Sequence, residues 1–263
     1  MRSDLKLTWD IFLSIIKTPF TILMVLLGKK ELTEILQPFK EVIKYITEAK
    51  ITFTIVLINI IIYFWSLFWT EKWIYALMDH PSHIFSGHFY TLFTATYMHG
   101  SLAHLIGNMT VLLFLGRIVE EKFGGLKYFF LYTIVGISAS IINNIVMIIT
   151  GNVSYTLGAS GAIAGIIAAA MLYHPFRLSL VYFFPLPTFV IAWFAIYNDM
   201  TGLLYPTQTN VAYWAHMGGY IATSIILMIV DKEDVKKGFM MNFLTFSLAS
   251  ILWVITNGLV GSP

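Results

Sequence analysis

Two short motifs in this 263-residue chain hold residue types that can carry out acyl-transfer chemistry together. Gly158-Ala159-Ser160-Gly161 opens one apolar, small-residue helix pattern, and Ala215-His216-Met217-Gly218-Gly219 opens another. A hydroxyl is inert near neutral pH unless a base stands beside it, and imidazole is the side chain whose ordinary pKa suits that task. Gly161, Gly165 and Ala169 form a stripe of small residues at four-residue spacing, as do Ala215, Gly219 and Thr223. Such stripes let helix backbones approach closely. Ser160 precedes the first stripe by one residue and His216 follows the start of the second by one, so packing the two helices would bring hydroxyl to imidazole. A third apolar run carries His104 and Asn108, four apart and therefore on one helical face, behind Ser101, whose hydroxyl can cap the first turn. Taken singly, each residue has a plainer reading. A serine in a small-residue span usually bonds back to its own helix, and a lone intramembrane histidine often serves structure.

The elements that must position these groups are membrane spans. The chain is 58% hydrophobic and 11% charged, against about a quarter charged in soluble domains, and its mean hydropathy is +0.78. Apolar runs of spanning length cover Ile51 to Trp69, Ser101 to about Arg117, Tyr128 to Ile149, Gly158 to Tyr173, a fifth within Leu178 to Leu204, Val211 to Val230, and Phe239 to Val260. The expected fold is therefore an all-α membrane protein, with a six-span core over residues 51–231 and an additional C-terminal helix over 239–260. Pro185 and Pro187 would break a helix begun at Leu178, so the fifth span is expected to start near Thr188 and run past Asp199. Residues 1–50 differ in kind, with Lys17 and Pro19 interrupting the first apolar run and a charged amphipathic stretch following from Lys29 to Lys50. They read as interfacial helices, with an eighth span as the alternative.

Charge asymmetry gives the orientation. Loops after spans two, four and six hold Arg117, Lys122, Lys127, Arg177, Lys232, Lys236 and Lys237, whereas the other loops hold only Lys72. The positive-inside rule then places the N-terminus in the cytoplasm and the C-terminal Gly-Ser-Pro outside, as expected of a multi-pass protein of a cell membrane. It also places His104, Asn108, Ser160 and His216 at one depth near the outer face.

The net charge of +2 gives no reason to expect a nucleic-acid partner, and the absence of cysteine excludes a thiolate nucleophile and thiolate metal sites. His80, His83 and His88 are irregularly spaced and read as loop residues; no metal or cofactor is expected. Asn143, Asn144 and Asp199 have no evident partner in the sequence and read as structural. His99 reads as a residue that holds the loop before span two. Glu120 and Glu121 read, with Arg117, as a helix-end network.

Three motifs in order resemble those of the rhomboid intramembrane serine proteases. Met98-His99-Gly100-Ser101-Leu102-Ala103-His104-Leu105-Ile106-Gly107-Asn108-Met109 resembles the family's HxxxxHxxxN, Gly158-Ala159-Ser160-Gly161 its GxSG, and Ala215-His216-Met217-Gly218-Gly219 its AHxxG. The resemblance implies Ser160 as nucleophile and His216 as general base and acid, a dyad without a carboxylate. It implies an oxyanion hole from the Ser160 N–H, His104 and Asn108, and supporting roles for Gly158, Gly161, Gly219 and Glu120. It further implies transmembrane protein substrates drawn from the bilayer. The chain departs from the family pattern at Tyr90-Thr91, where many members have Trp-Arg, and at Ala164, where an aromatic often stacks on the histidine. A non-catalytic polytopic protein, either a transporter or a rhomboid-like binder of membrane segments, is the alternative. Relatives of that kind lose the serine or the histidine, and this chain keeps both.

Overall fold

The computed structural model describes residues 4–181, 184–205 and 211–259. Val260 and the Gly-Ser-Pro terminus fall outside the described residues, as does part of the loop ahead of the sixth apolar run. An apolar run in lipid must satisfy its backbone internally, and the runs accordingly become helices. The chain opens with α1 (Asp4–Leu26) and α2 (Gln37–Glu48), which meets α3 (Lys50–Ser66) at a bend of 99° when measured from Leu32. Three short helices follow, α4 (Glu71–Leu77), α5 (Pro81–Phe85) and α6 (Thr91–Thr94). Next come α7 (Leu102–Val111) and α8 (Arg117–Phe123), joined through a π-turn at Leu112–Gly116 into one rod, and then α9 (Gly125–Thr150). The remainder is α10 (Ser160–Tyr173), α11 (Thr188–Leu204), α12 (Tyr213–Val230) and α13 (Lys232–Leu259).

Thr8–Leu26, Leu102–Phe123, Gly125–Thr150 and Tyr213–Val230 are long and apolar enough to cross a membrane, and the bent Leu32–Ser66 pair makes a fifth if its two helices count as one span. The chain is thus a mainly α-helical, multi-pass membrane protein. One departure from an all-α expectation is a two-stranded hairpin, β1 (Leu178–Ser179) against β2 (Leu186–Pro187), paired antiparallel. Proline lacks the N–H a helix needs, so Pro187 marks the boundary. From Thr188 the chain is helical, with its N–H donating to the Arg177 carbonyl and that of Phe189 to the Pro175 carbonyl. The helix expected for the fifth apolar run therefore starts where the prolines require.

At the centre lies α10, buried continuously from Gly161 to Ala170. A helix apolar all round must be enclosed by others, and α9, α11, α12 and α13 enclose it. The small-residue stripes meet as their spacing predicts. A β-carbon on Gly219 would collide with the Gly161 carbonyl oxygen, and one on Gly165 with the Thr223 hydroxyl and Val135. Helix association in lipid gains nothing from expelling water, so this backbone-to-backbone approach supplies the dispersion contact that holds α10 against α12.

A set of polar ties gathers at one end of the helices. Glu120 accepts from the backbone N–H groups of Ile51 and Thr52, at 2.9 and 2.7 Å, and from the Thr52 hydroxyl at 2.8 Å. It thereby satisfies the unpaired first-turn donors of α3 with a charge suited to a helix N-terminus. Its expected alliance with Arg117 is corrected. Arg117 pairs instead with Glu48 and Glu121, at 2.9 and 2.7 Å, and Arg177 joins Glu121 at 2.5 Å. Lys122 reaches Asp234 at 2.8 Å, which fastens α13 to the same end. Glu120→Gln, which keeps volume but weakens three charge-assisted bonds, is expected to lower stability by about 3 kcal/mol. Thermal unfolding in detergent checks this, and an unchanged Tm would show that the cap contributes little.

Candidate active site

Ser160 is the first residue of α10, and the turn before it depends on glycine. Gly158 has φ of +129°, a conformation that side chains with a β-carbon rarely adopt, and its N–H is held by the Ala95 carbonyl at 2.9 Å. The absent side chain also makes room. A β-carbon there would lie 2.7 and 2.9 Å from Cε1 and Nε2 of His104, and 3.8 Å from Ser160 Oγ. His104 and the serine hydroxyl therefore flank one point in space, kept open by a glycine. The first-turn N–H groups of α10 have no partner within the helix.

The α10–α12 crossing brings His216 to the same end. A β-carbon on Gly161 would sit 3.4 and 3.6 Å from O and Cβ of Ala215, the residue before the histidine. Among the described residues, Ser160 Oγ and His216 form no hydrogen bond with each other. Such contacts are commonly long in an enzyme without substrate. The imidazole is engaged on its other side, where Nδ1 lies 2.7 Å from Asp199 Oδ1. The second oxygen of Asp199 accepts from the Tyr220 hydroxyl at 2.8 Å. This corrects two expectations: His216 does not stand without a carboxylate, and Asp199 is not a residue without a partner. A signal was present in the sequence, since a carboxylate in an apolar helix is costly unless paired, and His216 at the start of the next apolar run is a donor that could answer it.

The loop ahead of α7 is fixed by the residues expected to fix it, and by some that were not. Ser101 caps α7, its hydroxyl accepting from the His104 N–H at 3.1 Å. Asn108 donates through Nδ2 to His99 Nε2 at 3.0 Å, so one of its two N–H bonds is committed to the loop. Burial, helped by the neighbouring His104, pushes the His99 imidazole down to about 3 and keeps it neutral, as an accepting Nε2 requires. Asn144 also gains a partner that was not foreseen, with both oxygens of Asp79 2.9 Å from its Nδ2. Asp79 in turn exchanges backbone bonds with Thr156, which ties the first loop to the segment that leads into Ser160. Burial raises its carboxyl above the ordinary carboxylate range. His80, His83 and His88 belong to an aromatic cluster, with His80 stacked 4.4 Å from Tyr155. No group of three potential metal ligands occurs among the described residues.

Behind Ser160 lies a recess of about 30 Å³ lined by Thr96, Ser140, Asn143, Thr156, Ser160 and Gly161 among others. It is polar and large enough for a water molecule. Asn143, read from the sequence as structural, lines this recess and offers it an amide.

The rhomboid domain model matches residues 86–233, more than half of the chain, and includes His104, Asn108, Ser160, Asp199 and His216. The chain belongs to the rhomboid family. Among relatives of this rhomboid chain is Rhomboid-like protein 11, chloroplastic, of Arabidopsis thaliana, 27% identical over 203 residues, or 70% of this chain and 69% of the relative. RHOMBOID-like protein 4 of the same plant is 32% identical over 139 residues, which cover 53% of this chain and only 33% of that protein. RHOMBOID-like protein 6, mitochondrial, is 31% identical over 80 residues. Residues 1–85 and most of α13 lie outside the rhomboid match.

Proposed function

We propose that this rhomboid is an intramembrane serine endopeptidase. The observation that carries the reading is the grouping of Ser160, His104 and His216 around the one end of α10 where Gly158 leaves an opening. Ser160 attacks a peptide carbonyl of a substrate membrane segment while His216 takes its proton. The developing oxyanion is met by the Ser160 N–H, the His104 ring and the second N–H of Asn108, and the positive end of the α10 dipole favours the same charge. His216 then protonates the leaving amine, and water hydrolyses the acyl-enzyme. The recess behind the serine supports a supply of that water.

On this reading residues 51–231 are a six-span core, 239–260 adds a seventh span, and residues 1–50 are interfacial, with an eighth span at Thr8–Leu26 as the alternative that its length and hydropathy allow. The short α10 and α11 count as spans because partners enclose them. The basic side chains Arg117, Lys122 and Arg177 at the Glu121–Arg177 end support its cytoplasmic placement, with the serine near the outer face of a cell membrane. Substrates are single spans with small or helix-breaking residues near that face, since a helix hides its carbonyls until it unwinds.

A fluorophosphonate, which reacts covalently with an activated serine, provides the test. Purified protein in detergent is expected to label with one equivalent, and Ser160→Ala is expected not to label while keeping its Tm. Equal labelling of the two proteins would remove Ser160 as the nucleophile, and no labelling of the parent would favour a non-catalytic binder of membrane segments.

A further inference from the structure

We infer that Asp199 is a positioning residue for His216, so that this chain works with a serine–histidine–aspartate triad rather than a dyad; the inference rests on the protease reading above. Asp199 lies on α11 and is 8% exposed, so its position is set by protein and not by solvent. His216 and Tyr220 are one turn apart on α12 and reach its two oxygens at 2.7 and 2.8 Å. A carboxylate that receives a donor on each oxygen is used in its acceptor-only form. Nδ1 of His216 must then carry the ring proton, and Nε2 presents a lone pair. That is the tautomer a general base needs.

The backbone around the pair is equally constrained. A β-carbon on Gly202 would strike the Tyr213 ring, so α11 and α12 meet closely one turn from Asp199, and the Tyr213 ring stands edge-on to His216 at 6.4 Å. The α10 residue packed at Gly219, within a turn of His216, is Ala164, a buried methyl. No ring from α10 is available to stack on the imidazole, and the Asp199 bond is the hydrogen bond that fixes its orientation among the described residues.

The proton accounting is simple. When the Ser160 Oγ–C bond forms, the hydroxyl proton moves to His216 Nε2, and the resulting imidazolium keeps its Nδ1 proton directed at Asp199. When the C–N bond breaks, the Nε2 proton goes to the leaving nitrogen. Asp199 stays ionised throughout and transfers nothing, stabilising the cation by charge and holding its plane.

Tyr220 makes the test specific. In Asp199→Asn the Tyr220 hydroxyl selects the amide oxygen, which turns the amide N–H toward Nδ1 and forces the ring proton onto Nε2, the wrong tautomer. Turnover of a single-span reporter in lipid vesicles is expected to fall on the order of 10³- to 10⁴-fold in kcat, with KM and Tm nearly unchanged. Adding Tyr220→Phe frees the amide to flip and present its oxygen to Nδ1–H, so the double variant is expected to recover at least about tenfold. A purely structural Asp199 predicts no such recovery. Wild-type kcat in Asp199→Asn, a loss matched by the folded fraction, or a double variant no faster than the single one would overturn the assignment. Should the parent protein neither cleave the reporter nor label with fluorophosphonate, the protease reading fails first and the role of Asp199 with it.

Discussion

Ser160→Ala and His216→Ala are each expected to lower turnover of a single-span reporter on the order of 10⁴- to 10⁶-fold, and the double variant is expected to be no worse than either. The reason is that nucleophile and base act as one unit: a hydroxyl without its base, or a base without its hydroxyl, leaves only the residual effect of binding and oxyanion donors. Ser160 sits at the mouth of α10 with its hydroxyl beside the opening at Gly158, so its removal costs no packing. Its Tm should therefore match the parent. His216 is tied to Asp199, and its loss leaves a carboxylate with Tyr220 as its remaining partner. A lower Tm is expected for His216→Ala, and His216→Gln, which can still donate toward Asp199, should recover stability without recovering turnover. Measurable multiplicativity between the serine and histidine substitutions would show that the two do not work together.

His104→Ala is expected to lower kcat about 10²- to 10³-fold, or roughly 3 to 4 kcal/mol of transition-state stabilisation, with KM largely unchanged. Its ring touches the opening at Gly158 and makes no side-chain hydrogen bond among the described residues, so stability should hardly move. Asn108→Ala is expected to lose turnover comparably and also about 1 kcal/mol of stability, because its amide already supports the neutral, buried His99. Turnover per folded molecule, with Tm measured on the same preparations, separates the two contributions. Normal turnover per folded molecule in both variants would take the pair out of the mechanism and leave them as ties for the first loop.

How much of this was legible in the chain follows from what each feature depends on. Helical spans came from composition and run length, because lipid leaves a backbone few other choices. The α10–α12 contact came from spacing, since Gly161, Gly165, Gly219 and Thr223 recur at four-residue intervals that place them on facing stripes. The Ser101 cap and the start of α11 at Thr188 were equally local, set by a hydroxyl three residues before an N–H and by prolines that cannot donate. The bend at Ala49 was not legible, for the α3 N-terminus that begins there is capped by Glu120, 68 residues further along the chain.

The sequence by itself determined the membrane setting, the helix pattern and the candidates Ser160, His216, His104 and Asn108, because their motifs are local and their residue types carry the chemistry. Only the tertiary structure decided which polar group answers which. It gave Asp199 to His216, Asp79 to Asn144, His99 to Asn108, and Glu120 to Thr52 rather than Arg117. A buried polar group must find a partner, but the rule does not name one. The choice is made by the angles and depths at which helices pack, which are properties of the assembled bundle and of no single segment.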